Sequence, residues 1–106
     1  MNLLELIKYF RSNGKYEAFC LSRSLNTNSE AIDIYMTKPF VLNKELAFFE
    51  IEDTEGKIEY TFNGLKYFNL FDFYFFLDAI EELNNDFSMN DNLLAQKLFN
   101  YAIQDA

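Results

Sequence analysis

Histidine is absent from this chain, and cysteine and proline occur once each. Without histidine the commonest general base, nucleophile activator and transition-metal ligand is missing. One cysteine and no histidine exclude the usual zinc ligand sets. Cys20 cannot form an internal disulfide, whereas a small extracellular domain ordinarily carries several paired cysteines. Within Ala18-Phe19-Cys20-Leu21 it reads as a small buried hydrophobe. The three glycines, Gly14, Gly56 and Gly64, stand far apart and no Gly-Lys-Ser/Thr occurs, so no phosphate-cradling loop is available. No Gly-x-Ser-x-Gly elbow appears, and the region of Asp91-Asn92 lacks the alternating oxygen ligands and glycine of a calcium loop. The N-terminus has neither a basic start nor a long apolar run. The most apolar stretch, Leu70 to Leu83, is short and broken by Asp72 and Asp78. A cytoplasmic protein without catalytic, metal or cofactor equipment is therefore expected, one that binds neither nucleic acid nor membrane.

What is present is a core and a charge imbalance. A length of 106 residues suits one domain, residues 1–106, and half of them are hydrophobic, including 13 Phe and 7 Tyr. Disordered chains are poor in aromatics. The net charge of −8 is unevenly spread: residues 1–44 hold four acids and six bases, residues 45–91 twelve acids and two bases. Such a surface repels phosphates and anionic membranes and attracts basic partners.

Local patterns predict most of the elements. Asn2 followed by Glu5 is a capping box for a helix over 3–12, with Leu3, Leu4, Ile7 and Phe10 as its apolar stripe. Asn13-Gly14 ends it, Gly14 being free to turn left-handed. Residues 15–24 favour a helix, while residues 30–37 fit either a half-buried strand or a helical turn until Lys38-Pro39 breaks them. Residues 46–52 alternate, with Ala47, Phe49 and Ile51 on one side and Phe48, Glu50 and Glu52 on the other. A turn at 53–56 leads to a second alternating run over 57–62, and Asn63-Gly64 is a strong hairpin signal because a type I′ turn needs positive φ at both positions. The two-residue loop sets Phe62 opposite Leu65, Thr61 opposite Lys66 and Tyr60 opposite Tyr67. Pairing 46–52 with 57–62 as well would set Glu50 opposite Glu59, Glu52 opposite Lys57, Ile51 opposite Ile58 and Phe49 opposite Tyr60. A helix over 70–83, capped by Asn69 with Asp72 at its third position and stopped by Asn84-Asn85, and a last one over 91–104, capped by Ser88 or Asn90, complete the chain. The expected fold is α+β, a three-stranded antiparallel meander packed on its apolar face by N-terminal and C-terminal helices.

Two features carry a candidate binding surface. Glu50, Glu52 and Glu59 would crowd the outer face of the meander, and opposed like charges destabilise unless water or a cationic partner relieves them. On the helix over 70–83, Phe73, Phe76, Leu77, Ile80 and Leu83 form the core stripe, leaving Phe71, Tyr74 and Phe75 beside Asp78, Glu81 and Glu82. Aromatic anchors with charged rims are what interfaces use, although neighbouring helices burying those aromatics would account for them equally. Carboxylate pairs such as Glu50 with Glu59, or Asp78 with Glu81 or Glu82, also suit glycoside hydrolysis, but nothing sets them apart from solvated surface acids.

In size, charge and plan the chain resembles the small acidic immunity proteins that bacteria keep in the cytoplasm against toxic nucleases, including those of contact-dependent growth inhibition. The resemblance rests on the acidic stretch from Glu45 to Glu59, the hairpin Tyr60-Thr61-Phe62-Asn63-Gly64-Leu65-Lys66-Tyr67-Phe68 and the acidic, aromatic helix that follows. It implies a basic toxin domain as partner, steered by Glu50, Glu52, Glu59, Asp78, Glu81 and Glu82 and anchored by Phe71, Tyr74 and Phe75. Two alternatives share these features. One is a nucleic-acid mimic that blocks a DNA-binding enzyme. The other is an adaptor that self-associates into a homodimer through the aromatic helix face.

Overall fold

The chain opens with a helix, α1 (Leu3–Arg11), whose limits are set locally. The Glu5 N–H donates to Asn2 Oδ1 at 2.9 Å and the Asn2 N–H donates to Glu5 Oε1 at 3.0 Å, which closes the capping box. At the other end Asn13, not Gly14, takes the left-handed conformation, with φ of 70°. The Gly14 N–H donates to Tyr9 O at 3.0 Å, completing a Schellman turn. Gly14 is required for space: a Cβ there would lie 2.3 Å from the Tyr9 ring and 2.6 Å from the Tyr9 carbonyl oxygen.

The computed structural model describes residues 1–83 and 89–104. After α1 come α2 (Tyr16–Ser22), β1 (Ile32–Thr37), β2 (Ala47–Glu50), α3 (Ile51–Thr54), β3 (Glu59–Phe62), β4 (Leu65–Asp72), α4 (Phe73–Leu83) and α5 (Asp91–Gln104). The fold is α+β, but its sheet has four antiparallel strands in the order β2-β1-β4-β3 and is not a three-stranded meander. Residues 30–37, which local pattern leaves open, supply the central strand β1. The hairpin register is the expected one: Phe62 faces Leu65, Thr61 faces Lys66 and Tyr60 faces Tyr67, with φ of 52° at Asn63 and 80° at Gly64. β2, by contrast, pairs with β1 and not with β3, so Ile32 faces Glu50 and Asp33 faces Phe49. The turn at 53–56 is part of a crossover, led by the single-turn helix α3, that carries the chain from one sheet edge to the other.

The helix expected from residue 70 starts later. Residues 69–72 stay extended as the end of β4, where Phe71 pairs with Ile34 and Asp72 with Asp33. A bulge at Leu70 shifts the register, so both Leu70 and Phe71 are buried before Asp72 returns to the surface. Asn69 is therefore no helix cap; its N–H donates to Ile58 O at 2.8 Å. Asp72 is the cap, its Oδ1 accepting the Phe75 N–H at 2.7 Å. Of the two cap candidates for α5, Asn90 accepts the Leu93 N–H at 2.8 Å. Ser88 and the expected stop at Asn84-Asn85 lie outside the described residues.

The helices cover the sheet face opposite to the one expected. Ile32, Ile34, Met36, Phe71 and the ring of Phe48 meet α1, α2, α4 and α5 in one core. Phe73 is its hub, fully buried, with ring centroids of Tyr16, Phe19, Phe10, Phe76 and Phe48 at 5.1 to 5.8 Å. The other face carries Tyr35, Phe49, Tyr60, Phe62 and Tyr67. Phe49 on one edge strand lies 5.0 Å from Tyr60 and 5.4 Å from Phe62 on the other. On a flat sheet those strands would stand about 14 Å apart, so the sheet curls towards this face. The crossover closes it over Tyr35, whose hydroxyl donates to Lys57 O at 2.6 Å. Covered on both sides, β1 is buried from Ile32 to Met36.

Candidate binding surface

The strand order separates two of the expected site residues. Glu50 and Glu59 sit on opposite edge strands with β1 and β4 between them, so they do not face each other. The Glu52–Lys57 and Ile51–Ile58 pairings fall for the same reason. Glu50 and Glu52 instead fasten the loop before β1. Glu50 Oε2 accepts the Asn26 N–H at 3.2 Å. The Glu52 carboxylate accepts the Ser29 hydroxyl and the Glu30 N–H, and these donors, the hydroxyl first, hold its carboxyl below the usual carboxylate range.

On α4 the structure brings four expected residues together. Tyr74, Asp78, Glu81 and Glu82 are all exposed at helical spacing along one stripe. Phe75 leaves that stripe and stacks on Tyr101 of α5, with centroids 4.9 Å apart and rings 17° from parallel. Together with Ala79, Glu82, Lys97 and Leu98 these two rings line a groove of about 260 Å³ between the two helices. Phe71 is removed from the surface altogether. It belongs to β4, is buried, and packs on Phe75 and Phe76.

Residues not singled out in the sequence extend the stripe. Tyr16 of α2 lies 5.8 Å from Tyr74. Burial, then the neighbouring Cys20 and Tyr74, pushes its hydroxyl well above the ordinary tyrosine range. The Cys20 thiol is pushed up by burial, with the carboxylates of Glu17 and Glu50 adding to the shift. Glu17 and Glu50 thus lie near Cys20 on the α2 side of the Tyr16–Tyr74 contact, with Asp78 one turn along α4 from Tyr74. Glu17 gave no signal in the sequence, because it lies in the segment with a slight excess of bases.

Topology also sorts the charges by sheet end. Where β1 begins and β2 and β4 finish stand Glu30, Asp33, Glu50, Glu52, Asp53 and Asp72; where β1 finishes and β4 begins stand Lys38, Lys44 and Lys66. Asp33 is buried opposite Asp72. Burial raises its carboxyl above the usual range, the Asp72 charge raises it further, and the Asn69 side chain opposes both. Among the described residues the ion pairs are the N-terminal ammonium with Glu45, and Arg11 with Asp91 at 3.1 Å. No lysine or arginine therefore forms an ion pair with Glu50, Glu52, Glu59, Asp78, Glu81 or Glu82 there, although Lys97 lines the same groove as Glu82. Among the described residues no three Cys, Asp or Glu side chains are grouped to hold a metal ion, and no helix is long and apolar enough to cross a membrane. Comparison of the chain with protein-family models, with curated proteins and with solved structures finds no match.

Proposed function

We propose that this chain is an acidic inhibitor of a basic macromolecule, and specifically an immunity protein that covers the active site of a cognate toxin nuclease. The observation that supports this reading is the exposed α4 stripe. Tyr74 offers an amphipathic ring, 46% exposed, at the head of three carboxylates that form no ion pair among the described residues. A nuclease must be cationic around its active site to hold phosphates. Carboxylates presented to that site speed encounter and exclude the substrate, while Tyr74 and Tyr16 add contact area that loses little side-chain freedom on binding. Glu50 and Glu17 continue the acidic rim beyond α2, and Phe75 and Tyr101 flank it on the α5 side. Glu59, on the far edge strand, lies outside this surface.

The test uses as binding partner the basic toxin domain that this reading implies, sought in the reading frames adjacent to the one encoding this chain. Association should slow and lose salt sensitivity when Asp78, Glu81 and Glu82 are replaced singly by the corresponding amides. Tyr74→Ala should raise the dissociation rate and cost about 2 kcal/mol of affinity. Affinity that is flat across this set, or inhibition that survives in the absence of a complex, overturns the proposal.

A further inference from the structure

We infer that β3 is a self-association edge, through which two copies of this chain join their sheets about a two-fold axis. The inference is independent of the acidic surface, which lies towards the other edge of the sheet.

β3 is an outer strand, and among the described residues β4 is its only strand partner. The two-residue loop makes Phe62 and Leu65 a hydrogen-bonded pair, and pairs of this kind recur at every second residue. The Asn69 N–H on Ile58 O confirms the alternation at the far end. The N–H and C=O groups of Tyr60 and Phe62 are thus turned towards β4, and those of Glu59 and Thr61 point away from the sheet. A second copy running antiparallel can meet those groups only if odd-numbered residues face odd-numbered ones. Setting Glu59 against Glu59 of the second copy opposes like charges. Setting Thr61 against Thr61 of the second copy pushes Glu59 onto the turn residue Asn63. Setting Glu59 against Thr61 of the second copy satisfies the free groups of both residues twice over, places Tyr60 on the axis and aligns Ile58 with Phe62 of the second copy.

Charge and burial favour the same pairing. Residues 57–68 hold Lys57, Glu59 and Lys66 in a chain of net charge −8, so this edge lacks the acidic excess that would drive like copies apart. Lys66 lies directly beside Thr61 on β4, and so stands in one row with Glu59 of the second copy, two strands away on the same face, where the two long side chains can meet across Thr61 in two symmetric ion pairs. Ile58, Phe62 and Leu65 are 73%, 44% and 54% exposed in the single chain and cluster at this edge. β3 is short, yet its unpaired N–H and C=O groups beside these apolar side chains offer a template for another strand. Association through α4 would instead bring Asp78, Glu81 and Glu82 of two copies together.

Sedimentation velocity across a concentration series tests the inference, with circular dichroism as a check on folding. The unaltered chain should move from monomer to dimer as concentration rises. Glu59→Lys, an exposed change that sets lysine against Lys66 of the second copy, should weaken the dimer about tenfold, and adding Lys66→Glu should restore most of the loss. Thr61→Pro removes an outward N–H without removing a hairpin bond, and it should abolish the dimer. A chain that stays monomeric at every concentration overturns the inference, as does a dimer indifferent to both Glu59→Lys and Thr61→Pro.

Discussion

Phe73 is where packing of this protein can be tested most sharply. It is fully buried at the start of α4 and its ring meets five others, from α1, α2, β2 and α4 itself. Phe73→Ala removes a buried benzyl group, worth about 2 to 3 kcal/mol in transfer alone. It also leaves a void of roughly 100 Å³ if the neighbours hold their places, adding about 2 kcal/mol. The five rings come from four separate elements and cannot all close the gap together, so a total of about 4 kcal/mol is expected. A domain of this size has about 5 to 15 kcal/mol to lose. Phe73→Leu keeps most of the volume and should cost about 1 to 2 kcal/mol. Tyr74→Ala, one residue along and facing solvent, should stay within about 0.5 kcal/mol for stability. Urea unfolding followed by circular dichroism measures all three. A loss below about 2 kcal/mol for Phe73→Ala, or a loss for Tyr74→Ala as large, would refute the placement of Phe73 at the hub.

Two further outcomes bear on the sheet and its junction with α4. Asp72→Ala should unfold about 1 kcal/mol more easily than Asp72→Ser, which also removes the charge but keeps a capping oxygen for α4; equal urea midpoints for the two would contradict the cap. Asp33→Asn should stabilise the protein at neutral pH. Burial, and then Asp72, raise the Asp33 carboxyl in the folded state, so its contribution is intact below the unfolded-state range and is lost as pH rises through the folded value. The variant and the parent should therefore unfold at similar temperatures in acid and diverge as pH rises past the carboxylate range. Thermal melts at matched ionic strength that show a constant gap, or a gap of opposite sign, contradict this.

Much of the secondary structure is legible in local sequence because its causes are local. Asn2 and Glu5 cap α1 with no help from the rest of the chain, the periodic leucines of α5 mark it, and Asn63-Gly64 dictates a turn and a register within six residues. The aromatic face shared by Tyr60, Phe62 and Tyr67 is legible too, since alternation and the hairpin register assign it, whereas Phe49 joins that face from the far edge strand and not through the pairing with Tyr60 that the sequence suggests. The helical period likewise places Tyr74, Asp78, Glu81 and Glu82 on one side of α4. What local pattern cannot convey is which strand lies beside which. β2 is closer in sequence to β3 than to the partner that β4 finds, yet β1 takes the centre, because Ile32, Ile34 and Met36 on one face and Tyr35 on the other bury more there than any edge position allows. That choice draws residues 69–72 out of a helical pattern and into β4, since extended backbone can satisfy its hydrogen bonds on β1. It buries Phe71, separates Glu50 from Glu59 and brings Asp33 against Asp72. Residue types and spacing thus determined the helices, the hairpin and the sign of the surface charge. Tertiary structure alone decided which carboxylates of different elements share a surface, because strand neighbours are selected by burial summed over the whole chain and leave no mark on any short window of it.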